Sequence, residues 1–242
     1  MLIAKPESLS MEECGGLCET WFTAVQALHL IGRARPGQTK SILWHAGSSA
    51  VSIAGIQLSQ VKELFGESNS TRPRVFATTR RQDKCDFCVR DLGCTGAVNL
   101  ATKGDGDRSW TNKVRALNDG AGIDLIVDFL GGPSFEANLD LLAVDGCIVQ
   151  LGILQGPILA ADANISGILL KRARIEGSTL RGRDMDYQVR LRHLFQQLVL
   201  PGLVDGRLRH VVERVLPWQR VGEAHELIEV NETKGKLVCV VV

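Results

Sequence analysis

Three things are missing from this sequence, and each absence closes off a class. The first is a charge excess. The 242 residues carry 28 Lys plus Arg against 27 Asp plus Glu, a net charge of +1. So even a balance argues against a general nucleic-acid binder, which needs a basic face. The second is a long apolar run. None approaches the ~20 residues that span a bilayer as a helix, so no membrane partner is expected. The third is a secretory signal. Met1 to Pro6 lacks the charged, apolar and small-residue order of one. The seven cysteines, at 14, 18, 85, 88, 94, 147 and 239, are odd in number. Without a signal they point to free thiols in a reducing, cytoplasmic compartment. Cys85-x-x-Cys88 has the spacing of half a zinc site or of a redox pair. No second pair and no His stands near it at ligand spacing, so no metal site is expected. The pair reads as buried thiols on one face of a helix from Gln82 to Leu92, beside Phe87.

What is present is organised around Lys40 to Gln60. Ser41 to His45 has the length and apolar content of a strand. Ala46 to Ala50 is small and turn-forming. Val51 onward places apolar residues at Val51, Ala54, Ile56 and Leu58. The pattern is strand, tight turn, helix. Such a turn lets the backbone close on a diphosphate, and the helix behind it offers unpaired N–H groups and a positive dipole end. Ser48 and Ser49 add hydroxyls and can cap the helix. The full Gly-x-Gly-x-x-Gly fingerprint is absent: Gly47 is there, but Ala50 and Ser52 stand where further glycines would be expected.

The rest alternates. Ser8 to Arg33 is helical in pattern, opened by a capping box at Ser10 and Glu13 and split at Gly15-Gly16. Strands are expected at Val75–Thr78, Gly96–Leu100, Ile123–Phe129, Cys147–Leu151 and Ala173–Thr179. Helices are expected at Ser109–Leu117, from Gly131 through Leu142, at Asn164–Lys171 and at Tyr187–Leu200. This order predicts an α/β fold with a doubly wound, parallel, six-stranded Rossmann sheet. Ligands then lie beyond the carboxyl ends of the strands. Asp128 is the carboxylate at those ends, and it reads as a turn or cap residue. After the second strand comes Thr79-Arg80-Arg81-Gln82-Asp83-Lys84. A dinucleotide fold meets the adenosine ribose there, and cations at that tip suit a 2′-phosphate, although an ordinary solvated loop has the same look. Val211–Leu216 is strand-like, Val221–Glu229 helical, and Leu237–Val242 six consecutive apolar residues. That last run wants burial on both faces, and no strand of the α/β part pairs with it. Left exposed, it would be an aggregation hazard.

Several stretches, in order, resemble the zinc-free quinone oxidoreductase branch of the medium-chain dehydrogenase/reductases, the zeta-crystallin-like proteins. They are Glu19–Leu28, His45–Leu58, Val127–Gly131, Asp145–Gly152, Ser178–Arg183, Glu223–His225 and Lys234–Val238. The turn is most similar to that of the fungal p53-inducible-type members. The resemblance implies NADPH as cofactor and a small-molecule quinone or conjugated enone as substrate. It implies a diphosphate on Gly47, Ser48, Ser49, Ala50 and Val51. It places a 2′-phosphate on Lys84 with help from Arg80, and the nicotinamide near Thr23, Leu130, Leu151 and Gly152. Thr233 stands where the family often has an Asn near the cofactor, and Leu100 where it often has a Tyr beside the adenine. The resemblance also implies three parts: leading helices at 1–36, the cofactor domain at 37–200, and at 201–242 a remnant of a GroES-like catalytic domain whose N-terminal portion is missing. A homodimer through strand 173–179 is implied as well. The expectation is an NADPH-dependent oxidoreductase, truncated and of doubtful activity. The alternative is a non-catalytic NADPH-binding or scaffolding protein.

Overall fold

The computed structural model describes residues 3–66, 71–101 and 109–241. Two helices open it, α1 (Met11–Gly15) and α2 (Leu17–Val25), and α2 runs into a π-helical stretch, Gln26–Ile31. The capping box forms as expected, with Ser10 and Glu13 serving each other's backbone N–H.

The sheet is six-stranded and parallel. Its strands are β1 (Ser41–Trp44), β2 (Arg74–Thr79), β3 (Gly96–Asn99), β4 (Ile123–Asp128), β5 (Leu142–Gln150) and β6 (Arg174–Gly177), in the order β3-β2-β1-β4-β5-β6. This is the doubly wound order, and the chain reverses direction across the sheet between β1 and β4. Both faces are buried, so residues alternate between two cores rather than between core and water. Ile42, Trp44, Val75, Ala77, Leu125, Val127, Cys147 and Val149 face one core, shared with Trp21, Ile56, Phe65 and Phe195. Leu43, Phe76, Val98, Ile126 and Ile148 face the other, with Val114 and Leu141. Each large side chain buried in this way contributes about 1.5–3 kcal/mol.

The crossovers on the two faces are α3 (Ala50–Leu58), α4 (Lys62–Phe65), α5 (Gln82–Arg90), α6 (Ser109–Leu117), α7 (Gly132–Leu141) and α8 (Ser166–Leu170). Helix α3 lies hard against β1. A Cβ at Gly55 would fall 2.1 Å from the Trp44 ring, and Trp44 Nε1 donates to Ser59 Oγ at 3.1 Å. That contact sets the start of α3 at the end of β1. Beyond β6 come α9 (Met185–Leu198), capped by Asp184, α10 (Leu200–Val204), β7 (Val212–Pro217), α11 (Val221–Glu229) and β8 (Lys236–Val240).

Two expectations are corrected. Strand β5 begins at Leu142, five residues before the apolar run at Cys147, and its register shifts against β4. Asp145 there takes φ +64°, a local irregularity that hides the first half of the strand from a pattern reading. The apolar C-terminal run also has a partner. Strand β8 pairs in parallel with β7, Val215 opposite Val238, in a separate two-stranded sheet. A sequence separation of more than twenty residues conceals that pairing. Val242 lies outside the described residues. No helix among the described residues is long and apolar enough to cross a membrane.

Candidate functional site

A cleft of about 890 Å³ opens at the carboxyl ends of the strands. Its floor is the β1–α3 turn. Ala46 enters the turn at φ +49°, a conformation that L-residues rarely adopt. Ser49 caps α3, accepting from Ser52 N. Ser52 Oγ donates back to the His45 carbonyl at 2.7 Å. The Val51 N–H then has no hydrogen-bond partner among the described residues and belongs to the helix's positive end, while the Ala50 N–H faces the Gly235 carbonyl across the Ser49–Gly235 bridge. Ser48, Ser49, Ala50 and Val51 all line the cleft. Gly47 does not. It lies beneath the turn, where a Cβ would sit 2.7 Å from Ala77 Cβ and 2.9 Å from Cys88 Sγ. Its lack of a side chain lets the turn rest on β2 and α5, which also accounts for Cys88 as a core thiol. Burial pushes the Cys88 thiol up to about 12.

His45, at the end of β1, is fully buried. Its Nε2 donates to Asn138 Oδ1 at 2.7 Å and its Nδ1 pairs with Thr78 Oγ1 at 2.7 Å. Desolvation holds its pKa below the usual histidine value, so it serves as a neutral brace beneath the cleft. Asp128 is equally buried and accepts from the N–H groups of Leu130 and Gly131, at 2.7 and 3.3 Å. It is the turn residue the sequence suggested.

The β2 end supplies charge. Arg80 is exposed, lines the cleft and has no ion pair among the described residues. Arg81 turns aside to Asp83 at 2.9 Å. Lys84 is 2 % exposed, and its Nζ donates to Asn231 Oδ1 at 3.1 Å, with no carboxylate in salt-bridge range among the described residues. Desolvation lowers its pKa, and Arg81 adds to the effect. A buried ammonium beside other cations, at the wall of a cleft, is a ready place for an anion. Burial of Lys84 could not be read from a tip with so many charges.

The remaining expected residues meet in the same space. Thr23, Leu100, Leu130, Leu151, Gly152 and Thr233 all line it. The C-terminal segment forms one wall. Gly235 N donates to the Ser48 carbonyl at 3.0 Å, and Ser49 and Gly235 form an isolated parallel bridge. Gly235 has φ +86°, and a Cβ there would fall 2.3 Å from the Val211 carbonyl. Pattern reading missed Gln26 and Ser178, which line the cleft from the π-helical stretch and from just past β6. A glutamine within a helical stretch looks like a solvent-face residue, so no signal marked it. Among the described residues no three His, Cys, Asp or Glu side chains group as a metal would require.

Known proteins share this architecture. Over 234 residues the chain is 25% identical to quinone oxidoreductase-like protein 2 of Bos taurus, covering 96% of this chain and 61% of that protein. It is also 25% identical over 242 residues to a highly reducing polyketide synthase of Aspergillus terreus, covering 98% of this chain and 8% of that one. The chain thus spans about three fifths of the bovine relative's length and a small part of the synthase. A crystal structure of an NAD-dependent alcohol dehydrogenase superposes with a TM-score of 0.78 at 28% identity, covering 99% of this chain and 62% of that one. The quinone oxidoreductase of Thermus thermophilus, solved also in complex with NADPH, has a TM-score of 0.77 at 24% identity, covering 98% and 69%. The family model described as zinc-binding dehydrogenase matches residues 97–239, from β3 through β8, and by that match the chain belongs to the zinc-binding dehydrogenase family.

Proposed function

We propose that this chain binds NADPH in the strand-end cleft and serves the reduction of a quinone or conjugated enone by hydride transfer, on the zinc-free side of its family. The observation that carries the reading is the juxtaposition of Lys84, a buried cation with no carboxylate in salt-bridge range among the described residues, and the α3 N-terminus in one cleft. The Val51 N–H, with Ser48, Ser49 and Ala50 around it, would hold the diphosphate. Arg80 and Lys84 would hold the 2′-phosphate, and Leu100 would border the adenine. Thr23, Leu130, Leu151, Gly152 and Thr233 would border the nicotinamide. Bound there, NADPH supplies the hydride. The chain's own residues orient and partly desolvate it, and such positioning can contribute about 7–11 kcal/mol. The relatives' additional length supports the further reading that turnover by this chain alone is weak, because a covering domain would complete the cleft.

Titration of the chain with NADPH and with NADH, beside a quinone-reduction assay, tests the proposal. Arg80→Ser combined with Lys84→Met should weaken NADPH by about ten- to a hundredfold while NADH changes little, the range expected for charge-assisted hydrogen bonds. Equal loss for both cofactors would remove the 2′-phosphate assignment. NADPH binding without turnover above that of free NADPH would favour the non-catalytic reading, and absence of binding would undo both. The same reading pairs two copies through the open edge of β6, where Ile175 is exposed. Sedimentation that shows a monomer at every concentration would count against that pairing.

A further inference from the structure

The C-terminal wall of the cleft is a strap, residues 231–236, that leaves α11 and enters β8. Its side chains and backbone hold on to the elements around the cleft. Asn231 Oδ1 accepts from Lys84 Nζ of α5 at 3.1 Å. Lys234 Nζ stands 3.8 Å from Asp83 Oδ2 and 5.4 Å from the Phe87 ring centroid, both on α5. Gly235 N donates to the Ser48 carbonyl at 3.0 Å, and Lys236 Nζ pairs with Glu19 of α2 at 2.8 Å. Backbone shape accounts for a small polar residue at the first of these positions but not for its contact. Asn231 follows the last turn of α11 at φ +55°, with its N–H on the Ile228 carbonyl at 3.0 Å. Glycine and asparagine are the usual occupants of such a place. Glycine would suit the backbone equally well, and it would leave Lys84 Nζ without a hydrogen-bond partner among the described residues.

Lys84 is 2 % exposed, so its ammonium has little water to turn to and needs an acceptor from the protein. The Asn231 amide oxygen is that acceptor. It is neutral, and so it satisfies a donor while leaving the positive charge uncompensated. A phosphate oxygen on the same ammonium would add an ion pair to the hydrogen bond. Asn231 Oδ1 thus stands within hydrogen-bond distance of the cation, on the cleft wall, where an anionic oxygen of a ligand would stand. A dianion can displace an amide from that place. A carboxylate there would neutralise Lys84 and repel the phosphate.

We propose that Asn231 is a placeholder for the cofactor's 2′-phosphate on Lys84, and that it sets the strength of the phosphate preference. In the empty cleft its amide oxygen occupies the ammonium. A 2′-phosphate takes that place, and residues 231–234 lift from α5 while Gly235 stays pinned to Ser48. A dinucleotide without the phosphate has nothing to exchange with Asn231 and leaves the contact closed. This rests on the cofactor reading above and deepens it, because the selectivity then depends on a residue of the C-terminal wall as well as on the cations.

The test is equilibrium titration of the full chain, wild type and two variants, with NADPH and with NADH. Asn231→Gly keeps the left-handed backbone and removes the competitor. NADPH should then bind about three- to tenfold more tightly, the worth of one hydrogen bond that no longer has to be exchanged. Asn231→Asp also accommodates the backbone, and it puts a charge where the phosphate goes. There NADPH should weaken by at least about tenfold, the scale of a hydrogen bond between charged groups. NADH should change by less than about twofold in both variants, which also reports that they are folded. NADPH affinity unchanged in Asn231→Gly would overturn the proposal. A weaker NADPH in that variant would overturn it as well, by making Asn231 a ligand of the phosphate and not its stand-in. So would parallel shifts of NADPH and NADH, since a residue that only shapes the wall moves both alike. A wild-type chain that binds neither dinucleotide would instead bring down the cofactor reading, and this assignment with it.

Discussion

Lys84 occupies a place where an ammonium is hard to keep. Its 2 % exposure removes nearly all hydration, and one neutral amide oxygen replaces it. Neighbouring Arg80, Arg81 and Lys234 disfavour its charge further, against a single favourable carboxylate at Asp83. Removal of a buried, incompletely balanced ion in favour of an apolar chain of similar volume is often neutral or stabilising. Lys84→Met should therefore raise the ligand-free stability by about 1 kcal/mol, read as a higher urea midpoint. The same variant should gain less protection from added NADPH than the wild type gains. A fall in ligand-free stability would mean that Lys84 is a structural tie to Asn231 and not a poised anion site. Arg80 differs: it is exposed, and water screens it. Its neutral variant should leave stability within a few tenths of a kcal/mol.

The elements show why part of the site needs the distant end of the chain. The β7–β8 pair reaches the β1–α3 turn through Gly235 N to the Ser48 carbonyl, and Lys236 N to the Val211 carbonyl holds the two strands together at that point. Leu237 is in the cleft wall. Exposed as an unpaired run, residues 237–242 would be a liability, and deletion would improve solubility. With residues 237–240 paired in β8, deletion should have the reverse effect. It should lower the thermal midpoint and weaken NADPH by removing the wall around Thr233 and Gly235. A truncated chain that is as stable and binds as tightly would mean that the β7–β8 pairing does not shape the cleft. The sheet itself was legible because β1, β2 and β4 are buried on both faces and so read as continuous apolar runs closed by small residues. Their bounds fall within a residue or two of those expected. The β1–α3 turn was legible for a related reason, since only small residues fit where Gly47 meets Ala77 and Cys88. The π-helical stretch was not legible, because its hydrogen-bond shift leaves no mark in the apolar spacing of Trp21, Val25 and Leu28. Gln26 was missed with it. Strand β8 was seen as an element but not as a partner, since pairing across more than twenty residues is a property of the folded chain.

At the scale of the whole molecule, three histidines stand neutral in separate regions, and two of them, His45 and His210, carry hydrogen bonds between elements. His29 lies in the π-helical stretch, His45 at the end of β1, and His210 just ahead of β7. Burial lowers the pKa of each, and that of His210 falls to about 4, with Lys236 also pressing it down. Trp21 Nε1 donates to His210 Nδ1 at 3.2 Å, a bond that a protonated ring would refuse. An unfolded histidine takes up its proton near pH 6.5. Below that pH the unfolded chain binds protons that the native chain does not, so stability is full above about pH 6.5 and falls with acid. The slope is at most about 1.4 kcal/mol per pH unit for each histidine, and less for His210, which is only partly buried. The carboxylates held below their usual range, Glu63, Asp83, Asp145 and Asp205, are surface groups paired with arginine. They give little, and at lower pH. The interval from about pH 6.5 down to 4.5 therefore belongs to the three imidazoles. His210→Gln keeps an acceptor for Trp21 and removes one titration. Denaturant midpoints measured across that interval should fall less steeply in the variant than in the wild type, by up to a third of the slope. A wild-type midpoint that stays level from pH 7 to 4.5 would show that these rings take protons in the folded state, and that the ties between α2, the β1 end and the C-terminal strands do not depend on their neutrality.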